Sequence, residues 1–201
     1  MTLYLTQIRL HPAEVASFKL FDAYTRYQML AEAFPDTNRN PRPFLTRVDR
    51  YGDNYNVLIL SPQPPEPQPW GHWVTKPVAE NFFQYERYRF ALRANPTKVR
   101  IVRDTEGNRR KHCRTGIVDS AQLRRWITRK LRQAGSEPLE VFWGPAIRET
   151  FWRKRTINLI RVDFYGVLRV VDRPRFVAAA ANGLGRAKAF GFGMLLLAPL
   201  S

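Results

Sequence analysis

Asp119-Ser120-Ala121-Gln122-Leu123-Arg124-Arg125-Trp126-Ile127-Thr128-Arg129-Lys130-Leu131-Arg132, with Gly135 just beyond, reads as one helix set among strands. Asp119 supplies an N-cap oxygen, and Gly135 supplies the stop where a left-handed residue closes a helix. Leu123, Ile127 and Leu131 recur at helical spacing and are joined by Trp126, which predicts a buried stripe. Arg124, Arg125, Arg129 and Arg132 then spread over the remaining surface.

Upstream, Tyr85 to Asn95 reads as a long strand ending at Pro96, and Lys98 to Arg103 pairs across Asp104 to Asn108 with a basic strand up to Arg114. Downstream, Arg153-Lys154-Arg155 precedes a strand pair from Thr156 to Val171 with Gly166 near its middle. Asp172 caps a short helix through Ala181, and a glycine-rich loop and final strand follow. Near the N-terminus, Leu3 to Leu10 alternates as a strand that stops at His11-Pro12. A helix capped by Asp22 carries Ala23, Tyr27, Leu30 and Phe34 on one face, and Phe44 to Tyr51 and Tyr55 to Ser61 form a hairpin around Gly52-Asp53-Asn54. Five prolines between Pro62 and Pro69 enforce an extended loop, after which Trp70-Gly71-His72-Trp73 leads to another strand. Strand, helix, strand, strand, irregular link, strand thus occurs roughly twice. That order predicts an α+β chain of two tandem ferredoxin-like βαββαβ domains, residues 1–81 and 82–201. RNA-recognition modules of this shape present a sheet face to nucleic acid, but the aromatics here do not spell their usual strings, so that likeness is topological.

Thirty-three Lys and Arg against seventeen Asp and Glu leave a net charge of +16, the footprint of a polyanion partner. The charge is also local: Arg100 to Arg132 holds eleven basic residues against Asp104, Glu106 and Asp119. A merely solvated face mixes signs, and arginine grips phosphate bidentately and stacks on bases. Cys113 is the one cysteine, which removes a disulfide framework and a Cys-rich zinc site and suits a reducing interior. Without a signal-like start or a stretch of ~20 apolar residues, neither secretion nor membrane spanning is expected, and the chain is placed in the cytoplasm.

Gly183-Leu184-Gly185-Arg186-Ala187-Lys188-Ala189-Phe190-Gly191-Phe192-Gly193 puts four glycines and two cations in eleven residues. Such a loop can turn N–H groups toward a phosphate while Arg186 and Lys188 neutralise it. The plainer alternative is a tight connection between a helix and the closing strand. It is neither a dinucleotide fingerprint nor a Walker loop, since it precedes the last strand instead of opening a βαβ unit.

The segment Tyr88 to Lys98, with Arg93-Ala94-Asn95-Pro96, resembles the CasE family, as do the Gly107-Asn108-Arg109-Arg110 turn with Cys113-Arg114, the helix end Arg129-Lys130-Leu131, and Gly183 to Leu197. These are the repeat-processing endoribonucleases of type I-E CRISPR Cascade. The resemblance spans essentially the whole chain. It implies two ferredoxin-like domains that bind a CRISPR repeat stem-loop in a basic cleft. It also implies cleavage at the stem base, without a metal or other cofactor, by attack of the 2′-hydroxyl on the adjacent phosphate, and partnership with other subunits of an effector complex. The expected RNA contacts are Arg109, Arg110, Lys111, Arg114, Arg124, Arg125, Arg129, Arg153, Lys154 and Arg155, with Gly183, Gly185, Arg186, Lys188, Gly191 and Gly193 in the terminal loop.

The family places a Tyr on the first helix and a catalytic His three residues later. The matching positions here are Tyr24 and Tyr27, so the histidine is missing. A phenol with an ordinary pKa near 10 is a poor base at neutral pH, though it can donate a hydrogen bond to a phosphate or leaving oxygen. Spacing of three puts both rings on one helical face with Arg26 turned away. Packing aromatics are the alternative. His11, His72 and His112 have no carboxylate at readable spacing, and His11 is the best placed of them to substitute. Related type IV processing proteins use arginine in place of the histidine, which this composition also permits. A stem-loop-binding subunit without activity is the competing reading.

Overall fold

The computed structural model describes residues 2–18, 23–34, 44–103, 109–152 and 156–200; the side chains of Tyr24, residues 101–103 and 109–112, and Trp152 are outside that description. The expected Asp22 cap and the Asp104 to Asn108 turn likewise lie outside the described residues. No described helix is long and apolar enough to cross a membrane.

The first sheet is antiparallel, in the order β2 (Leu45–Tyr51), β3 (Asn54–Ser61), β1 (Tyr4–Leu10), β4 (His72–Pro77). This is the ferredoxin strand order. The second crossover lacks a helix because prolines at five of eight positions cannot donate or hold helical backbone. A short helix absent from the sequence expectation, α1 (Pro12–Ser17), follows β1 directly. The His11 side chain accepts from the Ala13 N–H, and the Glu14 carboxylate accepts from the His11 N–H at 2.9 Å and, through its other oxygen, from Gly71 at 2.8 Å. Gly71 has φ +71, and a Cβ there would come 2.7 Å from Ile8, so only glycine lets β4 start against β1. α2 (Ala23–Ala31) covers the opposite side of the core, where Ile8, Leu10, Val57 and Ile59 pack against Leu30, Phe34 and Phe44.

The second sheet has the same order, β11 (Leu195–Leu200), β5 (Arg87–Ala94), β10 (Thr156–Val170), β8 (Ser136–Trp143), again antiparallel. Tyr88, Phe90 and Leu92 face α3 (Ser120–Gln133), whose Leu123, Trp126, Ile127 and Leu131 are all buried, and α4 (Arg173–Asn182), which contributes Phe176. Burying each such aliphatic side chain stabilises the fold by about 1.5–3 kcal/mol. The basic strands β6 (Thr97–Arg103) and β7 (Arg109–Gly116) pair only with each other, as a hairpin inserted between β5 and α3. The Asn95 carboxamide accepts from Ile160 N–H at 3.1 Å, and the Pro96 carbonyl accepts from Ile117 at 2.9 Å, so the Ala94-Asn95-Pro96 string fixes where the hairpin leaves the sheet.

One expectation needs correction. Thr156 to Val171 is not a strand pair around Gly166 but the single strand β10, which pairs first with β9 (Ile147–Trp152) and then with β5 and β8. Gly166 breaks nothing: β8 lies so close that a Cβ would stand 2.0 Å from the Glu140 carbonyl oxygen. Leu3, Leu45, Leu60 and Met194 form a third apolar cluster that joins the two sheets.

Candidate nucleic-acid interface

The glycine-rich loop leaves α4 at Gly183 and returns at Gly193. Leu184 N–H donates to the Gly193 carbonyl at 2.8 Å, and Gly193 N–H donates to the Arg93 carbonyl of β5 at 2.8 Å. A Cβ at Gly183 would meet Gly193 O at 2.8 Å, and one at Gly193 would meet Leu184 O at 2.7 Å, so these two glycines close the neck of the loop. Gly185 rests on Trp126, while Gly191 faces α2, with its Cβ position 3.8 Å from Arg26 Nη2. Between them Ala187 holds φ +65, a conformation unusual for a residue with a side chain. Arg186 is exposed, and the Lys188 ammonium donates to the Asn182 carbonyl across the loop. The 3-10 turn Lys188–Phe190 then touches α2 and β2.

That contact makes a cleft of about 360 Å³ between α2, the loop and the β9–β10 hairpin. Its charged lining is Arg26, Arg93, Arg161 and Glu149, with Phe151 and Phe190 packed at 5.0 Å on one wall. Ion pairs behind it hold the arginines. Arg93 reaches Asp163 at 2.8 Å, Asp49 at 3.0 Å and the Val48 carbonyl at 2.6 Å, and Arg161 reaches Glu149 at 2.7 Å. Burial pulls the Arg93 pKa down, but the hydrogen bond to Asp163 and the charges of Asp163, Asp49 and Glu149 outweigh it and leave the pKa above the usual guanidinium value. Arg161 Nε is buried without a hydrogen-bond partner, and Asp163 Oδ2 lies 3.7 Å away. A half-buried wall of fixed cations with one carboxylate among them can stabilise charge that develops on a phosphate.

Arg26, expected to turn away, lines this cleft. The Tyr27 ring instead packs against Phe44 at 5.4 Å and joins the first sheet's core. The side chain of Tyr24 lies outside the described residues. Helical spacing alone exchanges the aromatics and the cation, because Phe44, which pulls Tyr27 inward, arrives from a separate part of the chain. His11 is not in the cleft either: it caps α1 and lines, with His72, Glu14 and Arg9, a separate cleft of about 830 Å³ at the end of the first sheet.

The second basic surface is α3. Arg124, Arg125 and Arg129 are exposed and line a groove with Arg175 of α4, and the Arg124 guanidinium stands 5.1 Å over the Trp143 ring. Arg132 is engaged by Glu137 at 2.7 Å. Lys130 is pushed below the usual lysine range, first by partial burial and then by the neighbouring charges of Arg129 and Arg114. Arg114 is exposed on β7, and Cys113 is a half-buried free thiol. The side chains of Arg109, Arg110 and Lys111, and all of Arg153, Lys154 and Arg155, lie outside the described residues. Among the described residues no three of His, Cys, Asp and Glu come together as metal ligands.

Two ferredoxin-like sheets that carry an arginine-rich helix and a cation-bearing glycine loop define an α+β protein with strongly basic surfaces. The chain belongs to the CRISPR associated protein family, which it matches over residues 3–199. It is 30% identical to the Cascade subunit CasE of Escherichia coli, over 89% of this chain and 93% of that protein. It is 32% identical to the CRISPR-associated endoribonuclease Cse3 of Thermus thermophilus, over 57% of this chain and 56% of that one. Thermus thermophilus Cse3 bound to an RNA representing a pre-cleavage complex superposes with a TM-score of 0.83 at 26% identity, covering 99% of this chain and all of that one. The crystal structure of Escherichia coli Cas6e gives a TM-score of 0.76 at 29% identity with full coverage of both.

Proposed function

We propose that this protein binds the stem-loop of a CRISPR repeat transcript and cleaves it at the stem base, as part of a Cascade-type effector complex. The observation that carries this reading is the cleft in which Arg26, Arg93 and Arg161 meet the glycine loop. Its chemistry needs no metal. The 2′-hydroxyl of the nucleotide at the cut gives up its proton to water as it attacks the adjacent phosphorus, the 5′-oxygen of the next nucleotide leaves taking a proton from a hydroxyl donor that water then reprotonates, and the product ends in a 2′,3′-cyclic phosphate. Arg26 and Arg161 stabilise the charged phosphorane, the loop holds the backbone in line, and Tyr24 and Tyr27 serve as hydroxyl donors. The exposed arginines of α3, with Arg114 of the hairpin, grip the stem.

Losing a histidine base costs a family enzyme about 10²–10⁴-fold in rate, which single-turnover processing with a retained product tolerates. The test is a denaturing gel of repeat RNA incubated with excess protein in EDTA. Cleavage to a 2′,3′-cyclic end, abolished by a 2′-deoxy substitution at the cut, is expected. Tight hairpin binding without cleavage would assign the protein a purely RNA-holding role.

A further inference from the structure

The second sheet has one face under α3 and α4; its other face meets the first sheet at Arg93 and Leu196 and is open toward Arg87, Arg169 and Phe142. Strand alternation places Arg87, Arg89 and Ala91 of β5, Tyr165, Val167 and Arg169 of β10, and Phe142 of β8 on the open face, since Tyr88, Phe90, Leu92, Phe164 and Leu168 point into the helical side. The register puts Ala91, Tyr165 and Phe142 directly in line across three adjacent strands. The Tyr165 and Phe142 rings stack, with centroids 5.8 Å apart and planes 24° from parallel. Both stay about half exposed, at 51% and 53%. Two stacked aromatics left open on β10 and the edge strand β8 belong to none of the apolar clusters among the described residues.

The surroundings of the pair decide what it fits. Arg87, Arg89 and Arg169 are exposed, and none forms an ion pair among the described residues. Arg87 and Arg89, two residues apart on one strand, stand about 6.6 Å from each other. Glu137, level with Arg169, is occupied by Arg132, and Glu140 bounds the face at the edge strand. An acidic protein surface would use the cations and leave the stacked rings idle; an apolar one would use the rings and bury three unpaired guanidiniums at a penalty. A single-stranded nucleic acid uses both, with bases on the rings and phosphates on the arginines. The edge strand β8 also links this face to the proposed stem groove, because Trp143, next to Phe142, turns to the other side and lies beneath Arg124.

We propose that the open face of the second sheet, centred on Phe142 and Tyr165 with Arg87, Arg89 and Arg169, binds unpaired RNA flanking the stem-loop. The position of the flank rests on the repeat-RNA reading above, whereas the affinity of the face for unpaired RNA does not. Gly166 is the device that builds the platform: lacking a Cβ, it lets β8 approach β10 closely enough for the two rings to stack.

The experiment uses fluorescently labelled RNAs and the full chain, with three probes: the repeat hairpin alone, the same hairpin with about eight unpaired nucleotides on its 5′ side, and an unpaired oligonucleotide of that flank. The parent is expected to bind the flanked hairpin about ten-fold more tightly than the bare one, from base stacking on the two rings. Phe142→Ala with Tyr165→Ala should erase that advantage and the affinity for the unpaired oligonucleotide while sparing the bare hairpin. Arg87→Gln with Arg89→Gln, which touches no core residue, should do the same if the double alanine variant misfolds. Ultraviolet crosslinking of the parent to the flank should mark the peptides carrying Phe142 or Tyr165. Failure of the bare hairpin to bind would defeat the repeat-RNA reading but leave the oligonucleotide arm to judge the platform. Equal affinity of the parent for bare and flanked hairpins, or an unchanged advantage in both variants, would overturn it. So would variants that keep every RNA affinity but lose association with the other subunits of an effector complex, which would assign the face to a protein.

Discussion

Arg93 of the second sheet donates from Nη2 to Asp49 of the first at 3.0 Å, while its Nε holds Asp163 of its own sheet at 2.8 Å. One guanidinium therefore fastens the two sheets together at the cleft, and its carbonyl anchors Gly193 at the neck of the glycine loop. Arg93→Ala removes the cation that bridges the two sheets, while Asp49 keeps Arg47 at 2.7 Å and Asp163 keeps Arg161 at 3.7 Å. The site is partly wet and both carboxylates stay paired, so the loss should fall below that for a broken buried pair, at about 1–3 kcal/mol for the lost charged hydrogen bonds, read as a lowered midpoint in urea. Arg93→Lys should recover little of it, because one ammonium cannot span both carboxylates and the Val48 carbonyl.

The partial burial of Lys130 beside Arg129 and Arg114 has an opposite consequence. A lysine whose folded pKa lies below its unfolded one favours the unfolded chain while both states are protonated; the penalty fades as pH rises through the lowered folded pKa and is gone above about 10.5. Lys130→Gln should therefore raise the melting temperature of the free protein at pH 7 and low salt, and weaken hairpin binding. Neutralising Arg124 and Arg129 together should weaken binding further and make the salt dependence shallower by about 0.9 for each phosphate that is no longer neutralised. An unchanged salt slope would remove α3 from the interface.

Glu14 links α1 to β4 through hydrogen bonds from the His11 and Gly71 N–H groups, and these, in that order, hold its carboxyl below the usual value of 4.5. A lowered folded pKa contributes stability that is present above the unfolded value and lost as pH falls through the folded one. Glu14→Gln should thus lower the melting temperature at pH 7 and flatten its decline between about pH 5 and pH 3. Parallel acid profiles of parent and variant would show that the link does not contribute.

The first sheet, α3, α4 and the basic hairpin were legible because their signals are local: alternation in Leu3 to Leu10, the turn Gly52-Asp53-Asn54, Asp119 and Asp172 as caps. β8 and β9 were not. The first carries Pro138 between Glu137 and Glu140, and the second, Ile-Arg-Glu-Thr-Phe-Trp, runs its polar residues together before its aromatics, so neither shows a clean strand alternation; each is made a strand by pairing with long β10. Likewise Gly166 looked like a turn, and only the Glu140 carbonyl beside it explains a glycine inside a strand. The arginine-rich surfaces were legible from composition. The placement of Arg26 in the cleft was not, because a helix gives two candidate faces and the choice between them was made by Phe44, seventeen residues after Tyr27, packing on that ring.

The same choice separates the two candidate sources of catalysis. If fixed cations stabilise the phosphorane, Arg26→Ala should slow single-turnover cleavage by about 10²-fold, as removal of one preorganised group does elsewhere, with a smaller effect on hairpin affinity. Arg26→Lys should restore part of the rate, since a point charge remains without the planar fork. Tyr27→Phe removes one hydroxyl and leaves the ring on Phe44, so it should slow cleavage only to the extent that the hydroxyl reaches the RNA. Tyr27→His tests the missing base directly. An imidazole with a pKa near 6.5 can take the 2′-proton near neutral pH, and it should raise the rate and give it a pH dependence that the parent lacks between pH 5.5 and about 7.5. A rate unmoved by Arg26→Ala but reduced at least ten-fold by Tyr27→Phe would shift the catalytic role from the guanidinium to the phenol.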